Sequence, residues 1–291
     1  MKERNSRITL GVVALSKNEE LDLPGFLENL LPWVDEIVIV DDDSKDRTKD
    51  IIQNAGKKVK LIESSLSASG GFAGQRNIGL AACQTDWVLH MDIDERVTPE
   101  LAQEILNTIS NTPLNGFRYR RLNFFAHRPM KAGGWRNWNR PQLARKGFHE
   151  FIYRLHERCV IQGEPQSVGQ LKGEMWHLND ANYKERLNKS IPYSIIEAEQ
   201  LLEKDTKISA FSILMAPLFE FIKKYFLKWG LLDGVPGLIA AIHSADAVFR
   251  SYAIAWDEQN RIPREELEEE LRTQWEQKGL EEVLQHRGGT G

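Results

Sequence analysis

The sequence predicts an α/β protein built around a parallel sheet, and three observations support this fold class. Short, continuous apolar runs recur through residues 8–95, as expected for strands buried on both faces. Helical segments separate the runs, which is the pattern of parallel strands covered by helices. Polar clusters at residues 18–20, 41–46 and 92–94 follow three of the runs. Ligands bind at the carboxyl ends of strands in such sheets, so we expect a site where these clusters meet.

The individual elements follow in a regular order. Four strands are predicted, at residues 8–15, 36–40, 59–62 and 87–91. Helices are predicted between them, at residues 23–33, 48–55 and 75–83. Asp46 precedes the second helix and is expected to cap it, while the glycine- and serine-rich residues 67–76 predict a mobile loop.

Composition narrows the classes of function. The chain has 291 residues, a net charge of −4 and a pI near 6.0, so no nucleic acid partner is expected. Its two cysteines, Cys83 and Cys159, form neither a CxxC pair nor a disulfide framework, which indicates a reducing compartment. The apolar run near the start is too short for a secretory signal, so we expect a cytoplasmic protein.

Asp92 and Asp94 lie one residue apart at the end of the predicted strand 87–91. Residues i and i+2 of a strand share a face, so both carboxylates should point the same way. Two unpaired carboxylates about 4 Å apart repel each other by up to ~4 kcal/mol. A divalent cation such as Mg²⁺ or Mn²⁺ would relieve that repulsion. The alternative for an isolated D-x-D pattern is ordinary turn and capping chemistry.

Three ordered motifs resemble those of a known family. They are SKNEE at residues 16–20, DEIVIVDDDSKDRT at 35–48 and GQRNIGLAACQTDWVLHMDIDE at 74–95. Together they resemble family 2 glycosyltransferases of the GT-A fold, which use nucleotide-activated sugars and invert the anomeric centre. More loosely, residues 135–157 and the helices after Tyr183 resemble bacterial glucosyltransferases of lipopolysaccharide core assembly.

The resemblance implies roles for residues of the first half of the chain. Ser16, Glu19 and Asp41 would hold the nucleotide base, and a carboxylate at Asp41 favours uridine because it can accept a hydrogen bond from the imide N–H. Arg76 would bind the diphosphate, the alternative being a surface arginine at the start of a helix. Glu95 is expected to cap the helix that begins after Thr98.

The resemblance also implies a metal centre, with Mg²⁺ or Mn²⁺ as cofactor. Asp94 would bind the cation that bridges the two phosphates, and Asp92 would contact the ribose or a water on the metal. His177 would add a nitrogen ligand to the metal or contact phosphate; its alternative is a hydrogen-bonded structural role.

Glu157 is the candidate base that would deprotonate the acceptor hydroxyl, with His156 or Arg158 orienting it. The alternative is a structural ion-pair cluster at a strand edge, and Asp180 and Glu150 are reserve candidates for the base. The segment that contains Trp135, Trp138 and Arg140 predicts either a platform for a sugar or a packed satellite core.

Four ranges describe the expected domain organisation: residues 1–115 for nucleotide-sugar binding, 116–205 for the acceptor within the same GT-A domain, 206–257 for an amphipathic helical hairpin, and 258–291 for a charged tail. The apolar stripes of residues 211–229 and 236–256 suit helices that lie in a membrane interface. Packing on the catalytic domain or on a second subunit is the alternative. Several charges argue against a span, and residues 287–291 are expected to be disordered.

These observations predict a metal-dependent inverting glycosyltransferase at the inner face of the cytoplasmic membrane. It would move a sugar from a UDP-sugar, for example UDP-glucose, to a glycan or glycolipid such as lipopolysaccharide core. The alternatives are transfer to a polyprenyl phosphate and a non-catalytic nucleotide-sugar-binding module. A sugar nucleotidyltransferase is disfavoured, because the loop after the first strand is acidic rather than glycine-rich and basic.

Overall fold

The computed structural model describes residues 7–153 and 157–279. The four predicted strands are present as β1 (Leu10–Ser16), β2 (Glu36–Asp41), β3 (Val59–Glu63) and β4 (Trp87–Asp92). They are all parallel, in the order β3-β2-β1-β4. Nearly every residue of β1, β2 and β4 is buried, because helices cover both faces of this half of the sheet.

The predicted helices between these strands are also present, with their ends shifted by a few residues. They are α1 (Leu23–Leu30), α2 (Thr48–Asn54) and α3 (Phe72–Ala82). Asp46 accepts a hydrogen bond from the Thr48 N–H at 3.0 Å, as its predicted capping role requires. Part of the expected loop at residues 67–76 belongs to α3, which begins three residues before the predicted start at Gln75.

The rest of the sheet is mixed. Its elements are β5 (Glu95–Val97), α4 (Pro99–Ile109), β6 (Gly116–Phe125), β7 (Arg128–Pro129), β8 (Asn139–Arg145) and β11 (Val168–His177). Strand β8 joins the two halves, because it runs antiparallel to both β4 and β6. Within the described residues the order of the sheet is β3-β2-β1-β4-β8-β6-β11-β5, with β7 on β6. This arrangement confirms the predicted α/β fold class.

A separate antiparallel hairpin consists of β9 (His149–Ile152) and β10 (Arg158–Ile161). It packs its apolar side chains into a small cluster around Ala144 and Phe151. Asn77 of α3 attaches the hairpin to the parallel half through two hydrogen bonds. Its amide donates to the Phe151 carbonyl at 2.8 Å, and its oxygen accepts from the Phe151 N–H at 2.9 Å.

The chain divides into two compact units. One comprises Met1–Arg186 and Lys223–Ala241, and the other comprises Leu187–Ile222 and Ile242–Gly291. The ranges 1–115 and 116–205 of the sequence analysis share one sheet up to residue 177, because β6, β8 and β11 extend the sheet that β1–β4 begin. The predicted hairpin at residues 206–257 is distributed over both units.

The helices of the C-terminal third are α5 (Tyr183–Glu203), α6 (Ala210–Ile222), α7 (Gly234–Asn260) and α8 (Arg264–Lys278). The predicted single stripe over residues 211–229 is wrong, because α6 ends at Ile222, a π-helical turn occupies Lys223–Leu227 and Trp229 has a positive φ of 60°. Asp246 and Arg250, four residues apart on α7, form an ion pair at 3.2 Å. The expected disorder of residues 287–291 concerns residues outside those described.

One stretch of the described chain, Gly230–Asn260, is long and apolar enough to cross a membrane, judged by length and composition only. An eighteen-residue window in it holds at most two charged side chains. Asp246 and Arg250 lie near the middle of α7, so the expectation that this stretch does not span a membrane stays a prediction.

Candidate active site

The predicted polar clusters meet at the carboxyl ends of the parallel strands. Ser16 at the end of β1 pairs in register with Asp41 of β2, and the preceding residue, Leu15, pairs with Asp92 of β4. Adjacent strands lie about 4.8 Å apart, so Asp41 and Asp92 are separated by roughly 10 Å along the edge of the sheet. This is the edge at which a ligand of an open α/β sheet is expected.

Asp41 has no solvent-accessible surface, and its oxygens have partners within the protein. Ser16 donates its hydroxyl to Oδ2 at 2.8 Å, and Ser44 donates its N–H to Oδ1 at 2.8 Å and its hydroxyl to Oδ2 at 2.5 Å. In this conformation Asp41 holds the loops after β1 and β2 together. Its predicted hydrogen bond to a base stays a prediction, and it requires one of these partners to give way.

Glu19 lies in the loop after β1, next to the same edge of the sheet. Its N–H donates to the Thr48 hydroxyl at 2.7 Å, which ties this loop to the start of α2. The loop is therefore held in place beside Asp41 from both ends. Its predicted role in binding a base stays a prediction.

Asp92 lies between two arginines. Arg76 of α3 donates from Nη2 to Oδ1 at 2.6 Å, and Arg121 of β6 donates from Nη2 to Oδ2 at 2.9 Å. Burial raises the pKa of Asp92, but these two guanidinium groups lower it more, so the net pKa lies well below its ordinary value. Asp92 is therefore an anion already neutralised by arginine, which makes it a weak candidate for a direct metal ligand.

Arg76 connects Asp92 to the candidate base. Its Nε donates to Glu157 at 3.3 Å, and its Nη1 donates to the Met91 carbonyl at 3.4 Å. The guanidinium is buried and engaged with protein oxygens on every side, so it is not the exposed arginine of the alternative interpretation. Its predicted contact with a diphosphate stays a prediction that requires one of these bonds to open.

Glu95 does not cap the following helix, so that prediction is wrong. Thr98 caps α4 by accepting a hydrogen bond from the Leu101 N–H at 3.3 Å. Glu95 is fully buried, accepts the Asp92 N–H at 2.8 Å and forms an ion pair with Arg121. Its backbone belongs to β5, which turns the side chain away from α4 and toward the interior.

Asp94 and His177 form the part of the site that best fits a metal ion. Their Oδ2 and Nε2 atoms lie 3.1 Å apart, and with Asp92 their donor atoms lie within 4.8 Å of one another. Two neighbouring ligands at 2.1 Å from an octahedral cation are separated by ~3.0 Å, close to this spacing. His177 Nδ1 bonds to Asn123 Oδ1 at 2.7 Å, which fixes the tautomer that leaves Nε2 for a metal.

The charge of the cluster also fits a divalent cation. Four carboxylates (Asp92, Asp94, Glu95 and Glu157) and two guanidinium groups (Arg76 and Arg121) leave a formal charge of −2 when His177 is neutral and Glu95 is ionised. Burial raises the pKa of Glu95 to about 7, so the formal charge lies between −1 and −2 near neutral pH. Burial lowers the pKa of His177, but its hydrogen bond to Asp94 and the charge of Asp94 outweigh burial and raise it. This cluster therefore attracts positive charge at the position of His177.

The remaining candidates separate into structural and accessible groups. Trp135 packs against Phe125 in a small apolar cluster, and Trp138 lies under Arg121, whose guanidinium carbon is 3.9 Å from the ring centre. Both tryptophans therefore belong to the packed interpretation, whereas Arg140 is exposed.

The residues considered as partners of Glu157, or as alternatives to it, are paired with other side chains or lie outside the described residues. Arg158 lies 3.7 Å from Glu164 and has no ion pair with Glu157 among the described residues. The reserve base Asp180 is paired with Arg186. His156 lies outside the described residues.

Sequence reasoning missed Arg121 and Asn123, although the alternation in β6 could have identified them. Buried Phe117, Tyr119 and Phe125 have the same parity as Arg121 and Asn123, so all five face the interior. A buried arginine on such a face needs a carboxylate partner, which here comes from β4 and β5.

Comparison with known proteins agrees with this geometry. The sequence model of the family described as Glycosyl transferase family 2 matches residues 12–161, more than half of the chain. The chain belongs to glycosyltransferase family 2. The match covers every residue of the predicted site except His177. Membership in this family confirms the predicted resemblance and, with the observed sheet, the predicted GT-A fold.

Similar proteins come from several bacteria. An uncharacterized glycosyltransferase of Rickettsia typhi is 26% identical over 247 residues, covering 81% of this chain and 82% of that protein. The lipopolysaccharide core biosynthesis glycosyltransferase LpsC of Rhizobium meliloti is 25% identical over 265 residues, which cover 85% of this chain and 94% of LpsC. The crystal structure of S. aureus TarS 1–349 with UDP-GlcNAc superimposes with a TM-score of 0.46 at 16% identity, and the match covers 87% of this chain and 92% of the TarS chain.

Proposed function

We propose that this family 2 glycosyltransferase transfers a sugar, with inversion, from a UDP-sugar such as UDP-glucose to a glycan or glycolipid acceptor. One observation carries the proposal: Asp94 and His177 lie 3.1 Å apart in one cluster with Asp92, and Arg76 connects Asp92 to Glu157. Lipopolysaccharide core is the acceptor class that the similarity to LpsC over most of the chain favours.

Asp94 and His177 would hold Mg²⁺ or Mn²⁺, and the mixed oxygen and nitrogen donor set favours Mn²⁺. When bound, the cation would stabilise the negative charge that develops on the departing diphosphate. Asp92 would not bind the metal directly, because both of its oxygens are bonded to arginines. Its role would be to hold Arg76 and Arg121 in place next to the diphosphate.

Glu157 would take the proton from the acceptor hydroxyl. In this single displacement the acceptor oxygen forms a bond to the anomeric carbon while the bond from that carbon to the phosphate oxygen breaks. The electron pair leaves with the nucleoside diphosphate, and the proton goes to the Glu157 carboxylate. About a quarter of the Glu157 side chain is exposed, at 23%, so an acceptor can reach it.

Calorimetry with UDP, GDP, CDP and ADP, with and without Mn²⁺, tests the donor and the metal together. We expect UDP binding that requires Mn²⁺, and a loss of at least ~100-fold in affinity in Asp94→Asn. Asp50→Asn removes an exposed carboxylate of α2 outside the cluster and serves as the matched control. Metal-independent binding, or no nucleotide binding by folded protein, would reject the proposal.

A polyprenyl phosphate is the second candidate acceptor. Exposed apolar side chains in the unit that contains the candidate site favour such a lipid-linked substrate. In Lys223–Ala241 of that unit Leu227, Trp229, Leu232 and Val235 are each more than 60% exposed. A phosphate acceptor is already an anion and needs no base. Glu157→Gln should therefore lower kcat by ~10²-fold or more with a hydroxyl acceptor but leave it nearly unchanged with a polyprenyl phosphate.

The same exposed side chains, with Lys223, Lys224 and Lys228 beside them, support a location at the inner face of the cytoplasmic membrane. Flotation with anionic vesicles should recover the wild type but not a Leu232→Ser, Val235→Ser variant. Extraction with alkaline carbonate should release a peripheral protein and retain one that spans the bilayer. If the folded wild type does not bind vesicles and elutes as a dimer in gel filtration, these helices serve self-association instead.

A further inference from the structure

A cavity of about 310 Å³ opens beside Glu157 in the unit that contains the sheet. Its volume lies at the lower end of the ~300–1,000 Å³ range of ligand pockets. Strands β6, β8 and β10 and the residues next to β9 and β10 provide the polar lining, which comprises Arg118, Arg140, Gln142, Tyr153, Glu157, Arg158 and Glu164.

The arginines that line the cavity outnumber its carboxylates, so its positive charge is not fully neutralised. Glu164 forms an ion pair with Arg118 and lies 3.7 Å from Arg158, so one carboxylate serves two guanidinium groups. Glu157 is already bonded to Arg76, which lies outside the lining. Arg140 is exposed and has no ion-pair partner among the described residues. An anion is therefore the ligand that would complete the charge balance of the cavity.

Gln142 adds a second unmet requirement. Its side-chain oxygen is buried, and no hydrogen-bond donor reaches it from the residues that the structure describes. A buried oxygen without a donor is costly, by roughly 1–3 kcal/mol. Because Gln142 lines the cavity, a rotation of its side chain would present this oxygen to a hydroxyl of a bound sugar, which would supply the donor.

We propose that this cavity binds the acceptor through a sugar residue that carries a carboxylate or a phosphate group. Arg140 pairs with the anionic group, Gln142 accepts a hydrogen bond from a sugar hydroxyl, and the hydroxyl to be glycosylated faces Glu157. The inference rests on the proposed function, because it takes Glu157 as the base of that reaction. It adds the chemical class of the acceptor, which the family alone leaves open.

Titrations with three monosaccharide probes test the proposal by NMR line broadening and calorimetry. The probes are methyl glucoside, methyl glucuronide and glucose 6-phosphate, each with and without UDP and Mn²⁺. We expect at least one anionic probe to bind at least 10-fold more tightly than the neutral one at low salt. Which anion binds more tightly distinguishes a carboxylated from a phosphorylated acceptor.

Arg140→Gln should remove at least 10-fold of the affinity for the anionic probe and leave the weak affinity for methyl glucoside unchanged. Arg128→Gln makes the same charge change at an exposed site on β7, about seven residues along β6 from Arg118 and so roughly 20 Å away. It should behave as wild type. Glu164→Gln releases Arg118 and Arg158 and should strengthen anion binding several-fold.

Equal affinity for neutral and anionic probes, or equal effects of Arg140→Gln and Arg128→Gln, would overturn the proposal. Thermal unfolding checks that each variant is folded. Loss of the proposed function has a different signature: wild type fails to bind UDP with Mn²⁺. The titrations without nucleotide still decide the charge preference of the cavity in that case.

Discussion

The two halves of the sheet contribute opposite kinds of residue to the site. The parallel half, β3-β2-β1-β4, ends in acids, of which Asp41 and Asp92 are the clearest. The mixed half, β8-β6-β11-β5, brings Arg121, Asn123 and His177 to the same place. Glu95 of β5 is the exception, since it is an acid from the mixed half.

This difference shows how a crowded acidic site can exist without a ligand. Arg76 and Arg121 neutralise Asp92 and Glu95, which leaves Asp94 with His177 as the pair open to a metal. The neighbouring acids of a D-x-D motif thus have separate roles: one is bonded to arginines, and the other can bind a cation. Arg121→Met tests whether the mixed half supplies this balance, and two further variants test how the hairpin is joined to the parallel half.

The largest effect on stability is expected from Arg121→Met. It would leave Glu95 and Asp92 short of a buried cation, at a cost of about 3–5 kcal/mol in the free energy of unfolding. Urea unfolding measures this loss. The double variant Arg121→Met, Glu95→Gln should be less destabilised than the single one, because the unpaired charge is gone. A loss below ~1 kcal/mol in the single variant would show that Arg121 is not needed as a counter-charge.

A smaller effect is expected from Asn77→Ala, which tests how the hairpin is attached to the parallel half. Both hydrogen bonds to Phe151 are lost, at a cost of about 2 kcal/mol in unfolding free energy. The two strands of the hairpin lie on either side of Glu157 in the sequence. Loss of this attachment should therefore also lower kcat by ~10-fold and leave the affinity for UDP unchanged. Asn54→Ala, in exposed α2, is the control. Equal kcat in the two variants would contradict a positioning role for Asn77.

The smallest effect is a dependence of stability on pH that arises where β4 meets the hairpin. His90 and His149 are buried with their Nε2 atoms 2.8 Å apart. Burial lowers the pKa of His149 below its ordinary value, and its hydrogen bond to the Arg145 carbonyl offsets this only in part. Below pH ~6.5 the unfolded chain therefore binds a proton that the folded chain does not.

The contribution of His149 to stability should consequently fall as pH decreases from about 6.5, by up to ~1.4 kcal/mol per pH unit, and should be constant above that pH. Buried His90, whose pKa burial also lowers, adds to this dependence, whereas Glu95, whose pKa burial raises to about 7, opposes it. Urea midpoints between pH 5 and 8 measure the slope. His149→Gln should reduce the slope by the His149 contribution, with His127→Gln, at an exposed histidine, as control. An unchanged slope in His149→Gln would assign the dependence to other groups.

The first half of the fold was predictable because its signals are local. The apolar runs of β1, β2 and β4 are buried on both faces, so these strands could be predicted without knowing their partners, whereas β3, at the edge of the sheet, is only partly buried. The mixed half lacks such runs: in β6 buried residues alternate with mostly half-buried ones, and the strand contains four charged or amide side chains that a sequence window treats as surface. The role of Glu95 was mistaken for the same reason, since capping is a local pattern and its pairing with Arg121 is not.

The sequence by itself determined the parallel strands, their polar ends and the family motifs that place Asp92, Asp94 and Arg76 near one another. Only the tertiary structure decided which acid is neutralised by arginine and which is open to a metal. Arg121 and His177 are 29 and 83 residues beyond Asp92 and Asp94, counted from their numbers, and reach them only through the β4-β8-β6-β11 order of the sheet. Charges far apart in the chain affect one another only when folding brings them within a few ångströms in a medium of low dielectric constant.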